Sequence, residues 1–209
     1  MESQVNIGIL GAGTVGSAVH ELIVAGHLAR FGVDAQVVKV FTRTPEDKRG
    51  YKVSPELFTK DADEVIRHPD VDIVVEVLGA VRREDLQVQK EWVVGALCHG
   101  KHVVTANKAL LVAHGAEIWT AAREYGQALR FEACIGGGIP IVGPLTQSLS
   151  AERPVTIYGL LNGTSNYILT EMAQRSRSYE KALASAQALG YAEADPDADS
   201  AVTVSVMNM

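Results

Sequence analysis

The sequence predicts an α/β fold built on a Rossmann-type, doubly wound parallel sheet, and three observations carry that expectation. Short runs rich in Val and Ile alternate with helix-patterned stretches from the N-terminus onward. These runs are apolar along their length, as strands buried on both faces must be. The first of them ends in a glycine-rich turn that opens a helical pattern, the arrangement of a βαβ nucleotide-binding unit.

In chain order, Val5–Leu10 reads as the first strand and Val15 to about Ala29 as the helix after it. Ala35–Phe41, Val71–Leu78 and His102–Thr105 read as further strands, with helices expected at Asp85–Cys98 and Leu110–Tyr125. The pattern changes after residue 128. Leu129–Cys134 looks strand-like, and Gly136–Pro140 is expected to open a helix with proline in its first turn. Val155–Leu161 reads as another strand. Helices follow from Ser165 to Gln174 and from Tyr179 to Leu189, the latter stopped by Gly190. The expected organisation is a dinucleotide-binding domain over 1–130 and an incomplete α+β substrate domain over 131–209.

Composition narrows the function classes. A net charge of −6 gives no electrostatic reason to bind nucleic acid or anionic lipid. No apolar run approaches the ~20 residues that cross a bilayer. The N-terminus lacks the basic, apolar and small-residue order of a secretory leader. Cys98 and Cys134 are the only cysteines, and their spacing suits neither a disulfide framework nor a metal site. A cytoplasmic location is the expectation.

Gly11-Ala12-Gly13-Thr14-Val15-Gly16 is GxGxxG in the strand–turn–helix context the motif requires. Its glycines allow a tight turn, close approach of a pyrophosphate, and close helix–strand packing, while the helix N-terminus faces the phosphates. An acid at the end of the second strand would bind a ribose 2′-hydroxyl. Here the chain reads Phe41-Thr42-Arg43-Thr44, so Arg43 is placed to fork a 2′-phosphate, helped by Lys48 or Arg49. NADP(H) is therefore expected ahead of NAD(H); the alternative is that Arg43 is a solvated loop residue. Lys108 follows a short strand at the edge where ligands bind, although by itself it reads as an ordinary surface lysine. Asn162-Gly163-Thr164-Ser165-Asn166 suits either a carboxylate site or a plain helix cap. Tyr191-Ala192-Glu193-Ala194-Asp195-Pro196 suits either an amino group or solvent. A calcium loop starting at Asp195 fails, because its glycine and final glutamate would fall on Ser200 and Val206.

Taken together, GILGAGTVG, VFTRT, VTANKALL, FEACIGGGIPI, LLNGTSNYILTEM and ALGYAEADP resemble the homoserine dehydrogenase family over roughly residues 5 to 199. The resemblance implies NADP(H)- or NAD(H)-dependent interconversion of L-homoserine and L-aspartate 4-semialdehyde, in threonine, methionine and isoleucine biosynthesis, by a homo-oligomer. It assigns Gly11, Ala12, Gly13, Thr14, Val15 and Gly16 to the pyrophosphate and Arg43 to the 2′-phosphate. Gly79 and Gly190 go to the nicotinamide end, and Lys108 to the reaction centre. Gly163, Thr164, Tyr191, Glu193 and Asp199 fall on substrate positions. Glu132, Ile135, Gly137 and Ile139 fall on a site for Na⁺ or K⁺, held mostly by backbone oxygens.

The sequence also departs from the family pattern. Counting on from Asp199, the family's glycine, second aspartate and proton-donating lysine fall on Val202, Val204 and Asn208. Gly79-Ala80-Val81 stands where a Gly-Gly pair and Pro-Ala are usual. These differences imply a substrate domain that is truncated and impaired. The competing readings are a non-catalytic NADP-binding module and an aspartate dehydrogenase-like enzyme; the LNGTSNYIL and GYAEADP segments speak against the latter.

Overall fold

The computed structural model describes residues 3–44, 54–79, 83–136, 138–156 and 163–190. The chain divides into two compact units, Met1–Cys134 and Ile135–Met209.

The first unit is a six-stranded parallel sheet. Its strands are β1 (Ser3–Leu10), β2 (Val33–Phe41), β3 (Phe58–Thr59), β4 (Ile73–Glu76), β5 (His102–Thr105) and β6 (Leu129–Arg130). The order across the sheet is β3-β2-β1-β4-β5-β6, so the chain reverses direction of growth between β1 and β4. That is the switch point at which open α/β sheets leave a crevice beyond the strand ends. The helices are α1 (Thr14–Val24), α2 (Asp63–Ile66), α3 (Arg83–Cys98) and α4 (Lys108–Glu124).

Alternation along the strands sorts the core into two layers. Leu10, Phe41, Val74 and Val103 pack with Val65 and Ile66 of α2, Val93 and Leu97 of α3, and Leu110 and Ile118 of α4. On the other face, Ile7, Ile9, Val40 and Val75 meet Ile23 of α1. The expected double cover is present over β1, β2 and β4. On β5 the second face stays exposed at His102 and Val104.

Several boundaries differ from the sequence expectation, each for a local reason. The first helix stops at Val24, not near Ala29. Gly26 takes φ +71°, with its N–H on Ile23 O and the His27 N–H on Leu22 O, the pair of bonds that closes a Schellman turn. Leu129–Cys134 is not one strand. Only Leu129 and Arg130 pair with β5, and Glu132–Cys134 turns as a 3₁₀ segment after Phe131 packs against the core and the Trp119 ring. The short α2 and β3 were not expected at all.

In the second unit, Gly136–Pro140 opens no helix. Gly136 has φ +68° and its carbonyl takes the Ile139 N–H in a turn, while the helical segment with proline in its first turn is Pro144–Ser148. The strand expected at Val155–Leu161 lies mostly outside the described residues; Val155 itself is exposed and not in a strand. Helices α5 (Gly163–Arg175) and α6 (Tyr179–Ala188) form a hairpin around Ile168, Ala182 and Ala186. Glu171, buried at the turn end of α5, is held by Arg175 at 3.1 Å and Arg177 at 2.9 Å.

Gly8 explains how α2 reaches the sheet. A Cβ there would lie 2.6 Å from Val65 Cγ1, closer than real side chains come. Gly8→Ala is expected to destabilise the protein by about 1–3 kcal/mol, the cost of overpacking. Part of that loss should return in Gly8→Ala/Val65→Ala relative to the sum of the single variants. Urea unfolding of the four proteins reads the coupling, and strict additivity would show that the contact is not tight.

Candidate functional site

The crevice at the carboxyl ends of β1, β4 and β5 is built on two lips. The first is the glycine turn. Gly11 follows β1 with φ +117°, and a Cβ on it would come within 3.0 Å of Val77 O. A Cβ on Gly16 would fall 2.0 Å from Gly11 O, so the first turn of α1 can approach the strand only without a side chain there. Gly13 is different. It is exposed, and a Cβ on it would meet nothing within 4 Å. Among the described residues, nothing closes the approach to Gly13. No side chain caps α1, and its first turn holds no acid, which leaves its positive end available to an anion. Ala12 is half-buried, while Thr14 and Val15 are exposed around the same turn.

Arg43 stands beside this lip. The Gly11 N–H donates to Phe41 O at 3.0 Å, and Thr42 donates its N–H to Thr59 O, so the end of β2 is pinned between the glycine turn and β3. Arg43 extends from that end, exposed, with no acid in Thr42-Arg43-Thr44. Lys48 and Arg49 lie outside the described residues.

The second lip joins the ends of β4 and β5 to the start of α4. Lys108 is the first residue of α4 and is exposed; Asn107 caps the helix by accepting the Leu110 N–H at 3.1 Å. A cation is disfavoured at a helix N-terminus, and no acid in this first turn offsets it.

Beneath Lys108 lies a set of buried polar groups that the sequence reading left without a role. Glu76, the last residue of β4, is fully buried. Its Oε2 accepts the Thr105 hydroxyl at 2.5 Å, and its Oε1 accepts the Leu78 N–H at 2.9 Å and Asn107 Nδ2 at 3.2 Å. Asn107 Nδ2 also donates to Gln89 Oε1 at 2.8 Å, and Gln89 Nε2 reaches Gly79 O at 3.4 Å. The Cys134 thiol donates to Thr105 O at 3.3 Å. Burial pushes the Glu76 pKa up, against the bonds from Thr105, Leu78 and Asn107 that hold it down. Burial, followed by the Glu76 charge, pushes the Cys134 thiol up to about 11; the Lys108 charge and the Thr105 bond act in the other direction. A carboxylate inside the run VDIVVEVL was the available signal, since a lone acid in a doubly buried strand needs partners.

The remaining expected residues are placed as follows. Gly163 and Thr164 begin α5, with Thr164 buried, and Gly190 follows α6 with φ +75°. Tyr191, Glu193, Asp199 and Gly137 lie outside the described residues. Glu132 belongs to the first unit, and Ile135 and Ile139 to the second. Among the described residues no three His, Cys, Asp or Glu gather as a metal site, and no helix is long and apolar enough to cross a membrane.

Comparison with known proteins agrees with this geometry. The family model for the homoserine dehydrogenase NAD binding domain matches residues 11–132, and the homoserine dehydrogenase model matches residues 140–203. Homoserine dehydrogenase of Synechocystis sp. is 42% identical over 93% of this chain and 44% of its own length. That of Bacillus subtilis is 41% identical over 93% of this chain and 45% of its own. The crystal structure of a homoserine dehydrogenase from Thiobacillus denitrificans superposes with a TM-score of 0.77 at 38% identity, covering 94% of this chain and 45% of that one. A hyperthermophilic archaeal homoserine dehydrogenase in complex with NADPH gives 0.76 at 27% identity, over 94% and 65%. The chain spans less than half the length of the curated relatives it matches.

Two outcomes follow from the crevice. Gly13→Ala should leave the thermal midpoint unchanged and weaken dinucleotide binding, whereas Gly16→Ala should lower both, because its Cβ strikes the protein itself. Calorimetry with a cofactor titration separates them, and equal effects of the two would refute the distinction. The second outcome concerns pH. The folded Glu76 carboxyl holds its proton more tightly than the unfolded one, so its contribution is complete below the unfolded pKa and is lost as pH rises through the folded value. The stability of the native protein relative to Glu76→Gln should therefore fall as pH rises above the ordinary carboxylate range. A difference that stays flat, or rises, in urea titrations over that rise in pH would contradict the burial argument.

Proposed function

The chain belongs to the homoserine dehydrogenase family, and we propose from that premise that it binds NADP(H) and serves the interconversion of L-homoserine and L-aspartate 4-semialdehyde. The observation that carries the reading is the open approach at Gly13 facing an uncapped helix N-terminus, with Arg43 beside it and no acid at the end of β2. Gly11 and Gly16 let the turn close on itself, and Gly13 leaves a pyrophosphate room at the head of α1. Arg43 forks the 2′-phosphate, as suits a guanidinium. An archaeal relative is known in complex with NADPH, which supports a cofactor of this kind.

When bound, the nicotinamide cofactor carries the hydride. The chain's own residues orient and neutralise. Gly79 and Gly190 border the nicotinamide end. Lys108 holds its ammonium where charge develops on the aldehyde oxygen. Gly163, Thr164, Tyr191, Glu193 and Asp199 bind the amino acid. Glu132, Ile135, Gly137 and Ile139 hold a monovalent cation through backbone oxygens. The reaction belongs to threonine, methionine and isoleucine biosynthesis in the cytoplasm, by a homo-oligomer acting on small molecules.

Turnover and binding are expected to part company. Val204 and Asn208 stand where the family places a substrate carboxylate and a proton-donating amine, and neither can take that role. Loss of a general acid costs about 10²–10⁴-fold in rate. The 209-residue protein should therefore bind NADPH in a fluorescence titration yet reduce NADP⁺ with L-homoserine far below the ~1–10³ s⁻¹ usual for enzymes. Arg43→Ala should weaken NADPH by about 1.5–3 kcal/mol and leave NADH nearly unchanged. Equal losses for both cofactors would overturn the assignment of Arg43, and no binding of either would overturn the cofactor reading.

A further inference from the structure

The crevice holds two groups assigned to the nicotinamide end, Gly79 and Lys108, on separate elements. One follows β4, the other opens α4. Neither touches the other in the hydrogen-bond pattern, yet both connect to the same buried side chain. Glu76 binds the Leu78 N–H immediately before Gly79, and through Asn107 and Gln89 it reaches Gly79 O. Through the same Asn107 it grips the residue immediately before Lys108, whose side chain also caps α4 at Leu110. Thr105 completes the set, donating its hydroxyl to Glu76 and accepting the Asn107 N–H at 3.0 Å.

We propose that Glu76 is a positioning residue for the nicotinamide end of the crevice, locking the Gly79 turn and the Asn107–Lys108 start of α4 into one geometry through its bonds to Leu78, Thr105 and Asn107. Its action runs through these bonds within the protein. A long side chain such as Gln, offering an oxygen to Leu78 and Asn107, satisfies the same role, because the Thr105 hydroxyl can turn to accept an amide. Ala cannot: it takes the acceptor from the Leu78 N–H and the Thr105 hydroxyl and leaves Asn107 Nδ2 with Gln89 alone. Asn107→Asp tests the other end. It preserves an oxygen for the Leu110 N–H, and aspartate is a good helix cap, but it removes the donor to Glu76 and Gln89 and sets two carboxyls together.

The proposal rests on the cofactor reading above, and the experiment separates the two. NADPH and adenosine 2′,5′-bisphosphate, which lacks the nicotinamide half, are titrated into the native protein, Glu76→Ala, Glu76→Gln and Asn107→Asp. Amide hydrogen exchange is followed at Leu78 and Leu110. Glu76→Ala and Asn107→Asp should bind NADPH roughly 3- to 10-fold more weakly, the effect of about one lost hydrogen bond, and bind the bisphosphate as the native protein does. Glu76→Gln should match the native protein with both ligands. Glu76→Ala should also speed exchange at Leu110, which Glu76 does not touch. Should Glu76→Ala fail to fold, Asn107→Asp carries the comparison. Equal loss of both ligands, native-like NADPH binding by Glu76→Ala, or a silent Asn107→Asp would overturn the proposal. If the native protein binds neither ligand, the cofactor reading falls, and exchange decides: an unchanged Leu110 in Glu76→Ala overturns the positioning role, and faster exchange restored by Glu76→Gln upholds it.

Discussion

A carboxyl group with no access to water at the end of β4 constrains everything around it. Removing an acid from solvent costs several kcal/mol unless donors replace the water. At Glu76 the donors come from three elements: the backbone just past β4, the Thr105 side chain of β5 and the cap residue of α4. The register makes this possible, since Glu76 and Thr105 are partners in the β4–β5 ladder and so lie on the same face. Once that pairing is made, Asn107 is held from both ends, and the start of α4 has little freedom left. Among the described residues no buried side-chain nitrogen or oxygen lacks a hydrogen-bond partner, so the polar cluster is a satisfied one.

The opposite lip is governed by contact distance instead of charge. Gly11 and Gly16 are glycines because the turn folds back on itself, with 2.0 Å between a would-be Cβ and a carbonyl oxygen. At Gly13 a Cβ would meet no described atom, so contact distance sets no such limit there. Between the two lips runs the switch from β1 to β4, and Val77 N–H on Leu10 O fixes their spacing. One wall of the crevice is thus set by sterics and the other by a buried hydrogen-bond network, both internal to the protein. Walls held in this way lower what binding must spend on ordering the site.

Much of this was legible in the sequence. Val- and Ile-rich runs gave the strands, and the glycine spacing placed the first turn, because both signals are local. Leu129–Cys134 misled because its apolar residues serve a strand, an aromatic contact and a 3₁₀ turn in succession. Gly136–Pro140 misled because proline near glycines suits a tight turn as well as a helix start. The network under Lys108 was not legible for a different reason. Glu76 meets Thr105 and Asn107 across 29 and 31 residues, and Gln89 meets Asn107 across 18. Only the strand order and register, which no short window encodes, bring them together.

The position of Lys108 bears on how cofactor binding and chemistry divide along this chain. Its ammonium is exposed at the head of α4. In water a unit charge about 4 Å away stabilises an opposite charge by only about 1 kcal/mol, and by about 4 kcal/mol where the effective dielectric falls to 20. On the proposed function, then, Lys108 stabilises a developing alkoxide only weakly as long as water surrounds its ammonium. The phosphate end is not limited in this way. Its N–H donors and Arg43 act on charges that the cofactor already carries, and they do so in the presence of water. A chain with an intact glycine turn and an altered sequence past Asp199 is for that reason expected to retain recognition of the dinucleotide before it retains catalysis.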